Sequence, residues 1–207
     1  MGDGWGAAWA VQKQLPLFEY GNSDLDLRQR VAANIIYQLP FGKAMSGVGG
    51  RLAKGWQLNT LTAWQTGNPM TVVNSSVIAG TLIGVTNGHD RPNQTGSAKP
   101  NNPSKNGWFN TSAFVQQSAN TLGDERRNQL FAPHYANVDL SLLKEFPALH
   151  DKAQVQFRAE CFNLANHPAQ GNPDLTLQDG PGVFGVITST SAFYKPRELQ
   201  FASKLLF

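Results

Sequence analysis

Apolar and polar residues alternate along this chain down to its final residue, and this two-residue period constrains the fold more than any other feature. The sequence closes with PRELQFASKLLF. One face of this segment carries the apolar side chains of Leu199, Phe201, Leu205 and Phe207. The opposite face carries Glu198, Gln200, Ala202 and Lys204. Because successive side chains of a strand point to opposite faces, the pattern predicts a two-faced strand that ends in an aromatic residue.

Four further segments show the same alternation. DLDLRQRVAANIIYQLPFG is mainly apolar at odd positions from Leu25 to Leu39 and ends at the turn signal Pro40-Phe41-Gly42. GWQLNTLTAWQTGNP has Trp56 and Trp64 at the two ends of one face, NVDLSLL and AQVQFRAEC repeat the pattern, and a weaker strand is expected over residues 5–13. The sequence therefore predicts an all-β fold, an antiparallel meander of strands. These strands are centred on Ile35, Leu61, Leu140, Phe157 and Phe201.

The connections between the predicted strands differ in length. Those at 40–54 and 146–152 are short, whereas residues 68–135 and 165–195 are predicted to be long loops, rich in Asn, Gly, Pro and Ser. Short turns at one end and long loops at the other are typical of a transmembrane β-barrel. A barrel interior filled with water or with a plug domain would also supply partners for the charged side chains in mid-strand. These are Arg28, Arg30, Arg158 and Glu160. From alternation alone, a soluble antiparallel sandwich remains an alternative.

Composition excludes several other classes. The net charge of +3 is spread along the chain, so no nucleic-acid partner is expected. The single Cys161 excludes an internal disulfide and a multi-cysteine metal site. No stretch approaches the roughly 20 apolar residues of a membrane helix. The start, MGDGWGAAWAVQKQ, contains no signal peptide, so either the chain is cytoplasmic or its natural N-terminus is missing.

Seven segments carry a resemblance to a known family. They are RQRVAANIIYQLPFGK, KGWQLNTLTAWQTGNPMTV, RPNQTG, NGWFNTSAF, LGDERRNQLFAPHYANVDLSLLKEF, VQFRAECFNLANHPAQGNP and FGVITSTSAFYKPRELQFASKLLF. In this order, from about Asp24 to Phe207, they closely resemble the C-terminal barrel region of TonB-dependent receptors, in the Oar-like group abundant in Acidobacteria.

The resemblance implies a β-barrel of the outer membrane that takes up a scarce, bulky ligand without intrinsic catalysis. Family barrels have about 22 strands, whereas this chain offers roughly six to eight of about ten residues each. We therefore expect residues 1–207 to form a single segment, the C-terminal portion of a transmembrane β-barrel, with the N-terminal plug domain absent. Its two unpaired edges favour self-association.

The resemblance also implies a binding partner for the final strand. In outer-membrane barrels a strand that ends in an aromatic is similar to the signal read by the barrel assembly machinery. Leu199, Phe201, Leu205 and Phe207 match that signal residue by residue. The expected partners are therefore outer-membrane lipid and this machinery.

A second class of function stays open, since a small β-barrel or oligomer could hold an acyl ligand. This alternative is a metal-dependent hydrolase of ester or lactone substrates, in which Ca²⁺ or Zn²⁺ activates water. Its candidate catalytic residues are His89, His134 and His167, and its candidate metal ligands are Asn172, Asp174 and Asp179. Solvated loop histidines and turn-forming carboxylates are the interpretation that the sequence favours for these residues. Residues 124–127, of sequence DERR, are expected to form a charged loop that pairs with itself.

Overall fold

The computed structural model describes residues 20–74, 90–119, 121–148, 153–192 and 194–207. The predicted strand over residues 5–13 lies outside these ranges. Contacts between residues divide the chain into two compact units. The first, called here the sheet unit, consists of Arg28–Gln65, His134–Ala169 and Phe193–Phe207. The second, called here the loop unit, consists of Met1–Leu27, Thr66–Pro133 and Gln170–Ala192.

Strands dominate the described part of the chain. They are β1 (Arg30–Gln38), β2 (Trp56–Gln65), β3 (Pro69–Met70), β4 (Asn93–Gln94), β5 (Phe114–Val115), β6 (Leu130–Phe131), β7 (Tyr135–Ala148), β8 (Ala153–Phe162) and β9 (Glu198–Leu206). One short α-helix, α1 (Gly47–Ala53), and the 3-10 turns Thr111–Ala113 and Leu177–Asp179 complete the described elements. None of the described helices is long and apolar enough to cross a membrane.

The sheet unit is one five-stranded sheet in the order β1-β2-β7-β8-β9. Every neighbouring pair is antiparallel, with Ile35 opposite Thr60, Thr60 opposite Leu140, Leu140 opposite Cys161 and Cys161 opposite Leu199. The predicted all-β antiparallel meander is confirmed, and all five predicted strand centres lie in these strands. The described residues contain five long strands rather than six to eight.

The first strand starts later than the alternation predicts, at Arg30 instead of Leu25. Residues before it turn away from an extended course, because the Asp26 N–H donates to the Ser23 carbonyl at 2.9 Å. Asp24 is then held by an ion pair with Arg127 at 2.7 Å. Extension of the ladder would require Leu25 and Leu27 to find partners beyond Gln65, where β2 ends.

The connection between β1 and β2 contains the predicted turn and an unpredicted helix. Gly42 has φ +73°, as the Pro-Phe-Gly signal requires, and its carbonyl accepts the Met45 N–H at 2.9 Å. Helix α1 follows and ends at Ala53; the next residue, Lys54, caps it with an extended backbone. The helix was not predicted because its GVGG start has low helix propensity.

The loop unit has a hydrophobic core of its own. Its buried members are Met70, Val72, Ala98, Phe109, Ala113, Phe114, Leu130 and Phe184. Phe109, Phe114 and Phe184 meet edge to face, with ring centroids 5.2 to 6.2 Å apart. Two small ladders, β3 with β6 and β4 with β5, join distant parts of this unit. The described residues of the predicted long loops, 68–135 and 165–195, thus include closely packed side chains.

Candidate functional site

The sheet unit presents two chemically different surfaces, and these are the most distinctive feature of the molecule. The strand register places one set of side chains, called here the apolar face, on the same side of all five strands. It consists of Val31, Ala33, Ile35 and Tyr37 on β1; Trp56, Leu58, Thr60, Thr62 and Trp64 on β2; Ala136, Val138, Leu140, Leu142, Lys144 and Phe146 on β7; Ala153, Val155, Phe157, Ala159 and Cys161 on β8; and Leu199, Phe201, Ser203 and Leu205 on β9. Among the described strand residues, this face carries a single charged side chain, that of Lys144.

The other surface, called here the polar face, carries most of the charged and amide groups of the strands. Its polar members are Arg30, Asn34, Gln38, Gln57, Asn59, Gln65, Asn137, Asp139, Ser141, Glu145, Gln154, Gln156, Arg158, Glu160, Glu198, Gln200 and Lys204. Apolar exceptions include Ile36, Leu61 and Leu143. The period-two patterns in the sequence therefore predicted the composition of both faces.

The groups of the polar face bind one another across strands. Glu160 accepts a hydrogen bond from Ser141 Oγ at 3.2 Å and lies 3.7 Å from the Arg158 guanidinium. Gln156 Nε2 donates to Glu145 at 3.0 Å. These side chains are partly exposed, so the pairing arranges a hydrated polar surface and contributes little to stability.

The apolar face is open on its outer strands. Ile35 is 62% exposed on β1 and Phe201 is 69% exposed on β9. A continuous apolar surface of this size marks a site of contact with a membrane or another protein. Strands β1, β2, β8 and β9 have 9 or 10 residues, which matches the roughly 9 to 11 residues of a membrane-spanning strand. Trp56 and Trp64 stand at the two ends of β2, as in the aromatic girdles of membrane barrels.

The residues of the predicted assembly signal lie on β9, an outer strand of the apolar face, and directly after it. Leu199, Phe201 and Leu205 lie on the apolar face of β9, and Phe207 follows the strand as the exposed last residue. Phe201 stacks on Phe157 of β8, with ring centroids 6.4 Å apart. The geometry is that of a two-faced final strand, and the signalling role of these residues stays a prediction.

The two described histidines of the hydrolase alternative, His134 and His167, occupy exposed connections. His89 lies outside the described residues, while His134 directly precedes β7 and His167 follows β8, both in the sheet unit. The backbone N–H of His167 donates to Asn163 Oδ1 at 3.1 Å, so this segment is a side-chain-stabilised turn. A catalytic role for the histidines stays untested.

The candidate metal ligands belong to the loop unit. Asp174 and Asp179 are neighbours, and burial together with the Asp179 charge raises the pKa of Asp174, while Asn172 is exposed. Asp174 also accepts the Thr176 N–H at 3.0 Å, as a turn-forming aspartate does. In the part of the chain that the structure describes, no three His, Cys, Asp or Glu side chains are grouped to hold a metal ion.

A buried carboxylate in the loop unit was missed by the sequence reasoning. The expectation that residues 124–127 pair with themselves is wrong, because Arg127 pairs with Asp24 and Glu125 is fully buried. Glu125 Oε1 accepts the Val72 N–H at 3.0 Å, and its Oε2 has no hydrogen-bond partner among the described residues. Burial raises the pKa of Glu125 to about 7. The sequence does not distinguish Glu125 from its exposed charged neighbours, because its burial depends on residues far away in the chain.

Lys144 is the second charged group that was not predicted. It is 1% exposed, and its Nζ donates to the Arg51 carbonyl at 2.9 Å. The ammonium also lies over two rings, 5.7 Å from the centroid of Trp56 and 4.8 Å from that of Phe146. The connection that contains α1 therefore covers the apolar face at the end where Trp56 stands.

Comparison with known proteins agrees with this two-faced sheet. A family model described as an outer membrane beta barrel domain matches residues 2–200. No curated protein and no solved structure matches the chain.

Proposed function

Because this chain belongs to the outer membrane beta barrel domain family and is an outer-membrane barrel protein, we propose that it forms the C-terminal wall of an Oar-like TonB-dependent receptor. In this role the wall surrounds the route by which a scarce, bulky ligand is taken up, and it performs no catalysis. The resemblance of seven ordered segments to the barrel region of these receptors supports the proposal.

The observation that carries the proposal is the separation of the two faces of the sheet. Lipid suits the apolar face, on which Lys144 is the single charged group of the described strands. A wide, hydrated lumen suits the polar face, because charged groups such as Arg158 and Glu160 lie in mid-strand. A small closed barrel would fill its interior with side chains and would have to bury these charges.

The two edges of the sheet also favour a large barrel. Strands β1 and β9 are the outer strands of the five-stranded sheet, so each has one edge that no other described strand pairs with. Unpaired backbone groups in lipid cost several kcal/mol each. We propose that further barrel strands cover these edges, with self-association of the chain as the alternative cover.

The final strand is proposed to contact the barrel assembly machinery. Its apolar residues Leu199, Phe201 and Leu205 share one face and Phe207 is exposed at the end, which is the arrangement that such a signal needs. Phe207→Ala should lower the amount of protein in the outer membrane, whereas Ala202→Ser on the polar face should not.

No observation in the described residues favours the metal-dependent hydrolase. Of the described candidates, His134 and His167 belong to the sheet unit, whereas Asp174 and Asp179 belong to the loop unit.

The transport proposal is tested by comparing uptake in three strains: the parent, one that lacks this gene and one that lacks TonB. The probes are radiolabelled cobalamin, ferric hydroxamates and maltooligosaccharides, all of them bulky. We expect both deletions to abolish uptake of the same probe and the restored gene to recover it. Uptake that persists without TonB, or uptake of every probe unchanged by loss of this gene, contradicts the proposal.

A further inference from the structure

We infer that the connection between β1 and β2 forms a pocket for the phosphodiester headgroup of an anionic glycerophospholipid. The inference rests on the proposed placement of the sheet in the membrane and adds a specific lipid site to it. The pocket lies wholly within the sheet unit, between α1 and the end of β7.

The pocket has a volume of about 590 Å³ and a mainly cationic charged lining. Arg51, Lys54 and Lys144 contribute the positive charges, and Glu145 is the one acidic residue in the lining. The Glu145 carboxylate is engaged elsewhere, since it accepts a hydrogen bond from Gln156 on the polar face at 3.0 Å. The lining therefore presents excess positive charge to an occupant.

Lys144 is the residue whose surroundings most directly indicate an anionic ligand. Its side chain is buried, and within the described residues no carboxylate lies within ion-pair distance of Nζ. The Arg51 carbonyl and the faces of Trp56 and Phe146 give only partial compensation for its charge. A buried charge is costly without a counter-charge, so an anionic oxygen in the pocket would offset this cost.

The position of the pocket favours a lipid over a free anion. Met45, Val48 and Leu52 are 51%, 74% and 58% exposed on the same connection. Val48 and Leu52 are four residues apart on α1 and so share one side of the helix, where they can contact acyl chains. Trp56 is placed where interfacial aromatics meet headgroups. Exposed apolar side chains beside basic ones are typical of a segment that lies in the membrane interface.

The experiment measures lipid binding to the full chain, purified from outer membranes in detergent, by native mass spectrometry. The probes are dioctanoyl phosphatidylglycerol, dioctanoyl phosphatidylcholine and inorganic phosphate. The test variant is the double substitution Arg51→Gln with Lys54→Gln, because both side chains are exposed and their loss leaves the sheet intact. Lys43→Gln is the matched control, since Lys43 is exposed in the same connection but does not line the pocket.

We expect phosphatidylglycerol to bind the parent more tightly than phosphatidylcholine does. The double variant should bind it about 30-fold more weakly, because each basic residue near an anionic headgroup contributes a factor of about five. Lys43→Gln should stay within about twofold of the parent, because Lys43 does not line the pocket.

Three results would overturn the inference. They are equal affinity of the parent and the double variant for phosphatidylglycerol, equal affinity of the parent for the two lipids, and displacement of phosphatidylglycerol by inorganic phosphate at equal concentration. The last result would assign the pocket to a free anion. None of them bears on TonB-dependent uptake, so this site and the transport function can fail separately.

Discussion

Phe157 and Phe201 stack across the last two strands of the sheet, with ring centroids 6.4 Å apart and ring planes inclined by 22°. The register pairs Phe157 with Ser203 and Phe201 with Ala159, so the rings meet along the diagonal of the ladder. Because Ser203 and Ala159 are small, each ring finds space beside its cross-strand partner. This contact joins the final strand to β8 on the face that we assign to lipid.

Replacement of Phe201 by Lys should destabilise the protein in the membrane by about 2 to 4 kcal/mol, the cost of a cation at the lipid-facing midplane of a barrel. The matched control is Gln200→Lys, because Gln200 is the adjacent residue on the polar face and its replacement should change stability by less than about 1 kcal/mol. Unfolding by urea in lipid vesicles measures both. Equal tolerance of Lys at the two positions would show that the faces are not distinct.

The loop unit should lose stability as the pH rises through the window set by Glu125. Burial raises the folded-state pKa of this carboxyl from 4.5 to about 7. Between these values the folded unit keeps a proton that the unfolded chain has released, so stability is highest below the lower value and falls towards the upper one. The loss is on the order of 3 kcal/mol. Urea unfolding at pH 4.5 and pH 8, followed by the fluorescence of Trp108 in a background in which the other four tryptophans are replaced by Phe, measures it.

Glu125→Gln should remove most of this pH dependence and should stabilise the loop unit at pH 8, since no buried charge then forms. The control is Asp124→Asn, which removes an exposed charge that is the smallest contribution to the raised pKa of Glu125 and should keep most of the dependence of the parent. A Glu125→Gln protein with the same pH profile as the parent would exclude Glu125 as its source.

Phe109→Ala should loosen the loop unit. Phe109 is 4% exposed and meets Phe114 and Phe184 edge to face, and truncation of such a ring costs about 3 to 5 kcal/mol. Limited proteolysis of outer membranes should therefore cut the loop unit of the variant faster than that of the parent. Phe41→Ala, at a site that is 60% exposed, is the control, and equal cleavage of Phe109→Ala and Phe41→Ala would contradict the packing described for this core.

Much of the sheet could be predicted from the sequence, because an alternation of period two determines which side chains share a face. Trp56, Leu140 and Phe201 were expected on apolar faces and lie on one, through the register of four strand pairs. The start of β1 was predicted wrongly: the chain turns at Ser23–Asp26 instead of continuing the strand, and Asp24 pairs with Arg127, about a hundred positions away. A local pattern carries no information about such a contact.

The loop unit and the pocket beside α1 could not be predicted for the same reason. Phe109, Phe114 and Phe184 show no periodic spacing, yet they meet in one core. Lys144 interrupts an otherwise apolar strand face, and its place beneath the α1 connection became visible only in three dimensions. Burial of Glu125 likewise depends on Val72, which lies 53 positions away in the chain.

The central claim, that one face of this sheet meets lipid and the other meets water, is tested most directly by two adjacent positions of β9. Ala202 lies on the polar face and Ser203 on the apolar face, and both are small enough to replace by Cys in a Cys161→Ser background. Each Cys is labelled with a bimane fluorophore, and the protein is placed in vesicles that contain doxyl-labelled phospholipid. We predict strong quenching at position 203 and weak quenching at position 202. Equal quenching at the two positions, or stronger quenching at 202, would contradict the account.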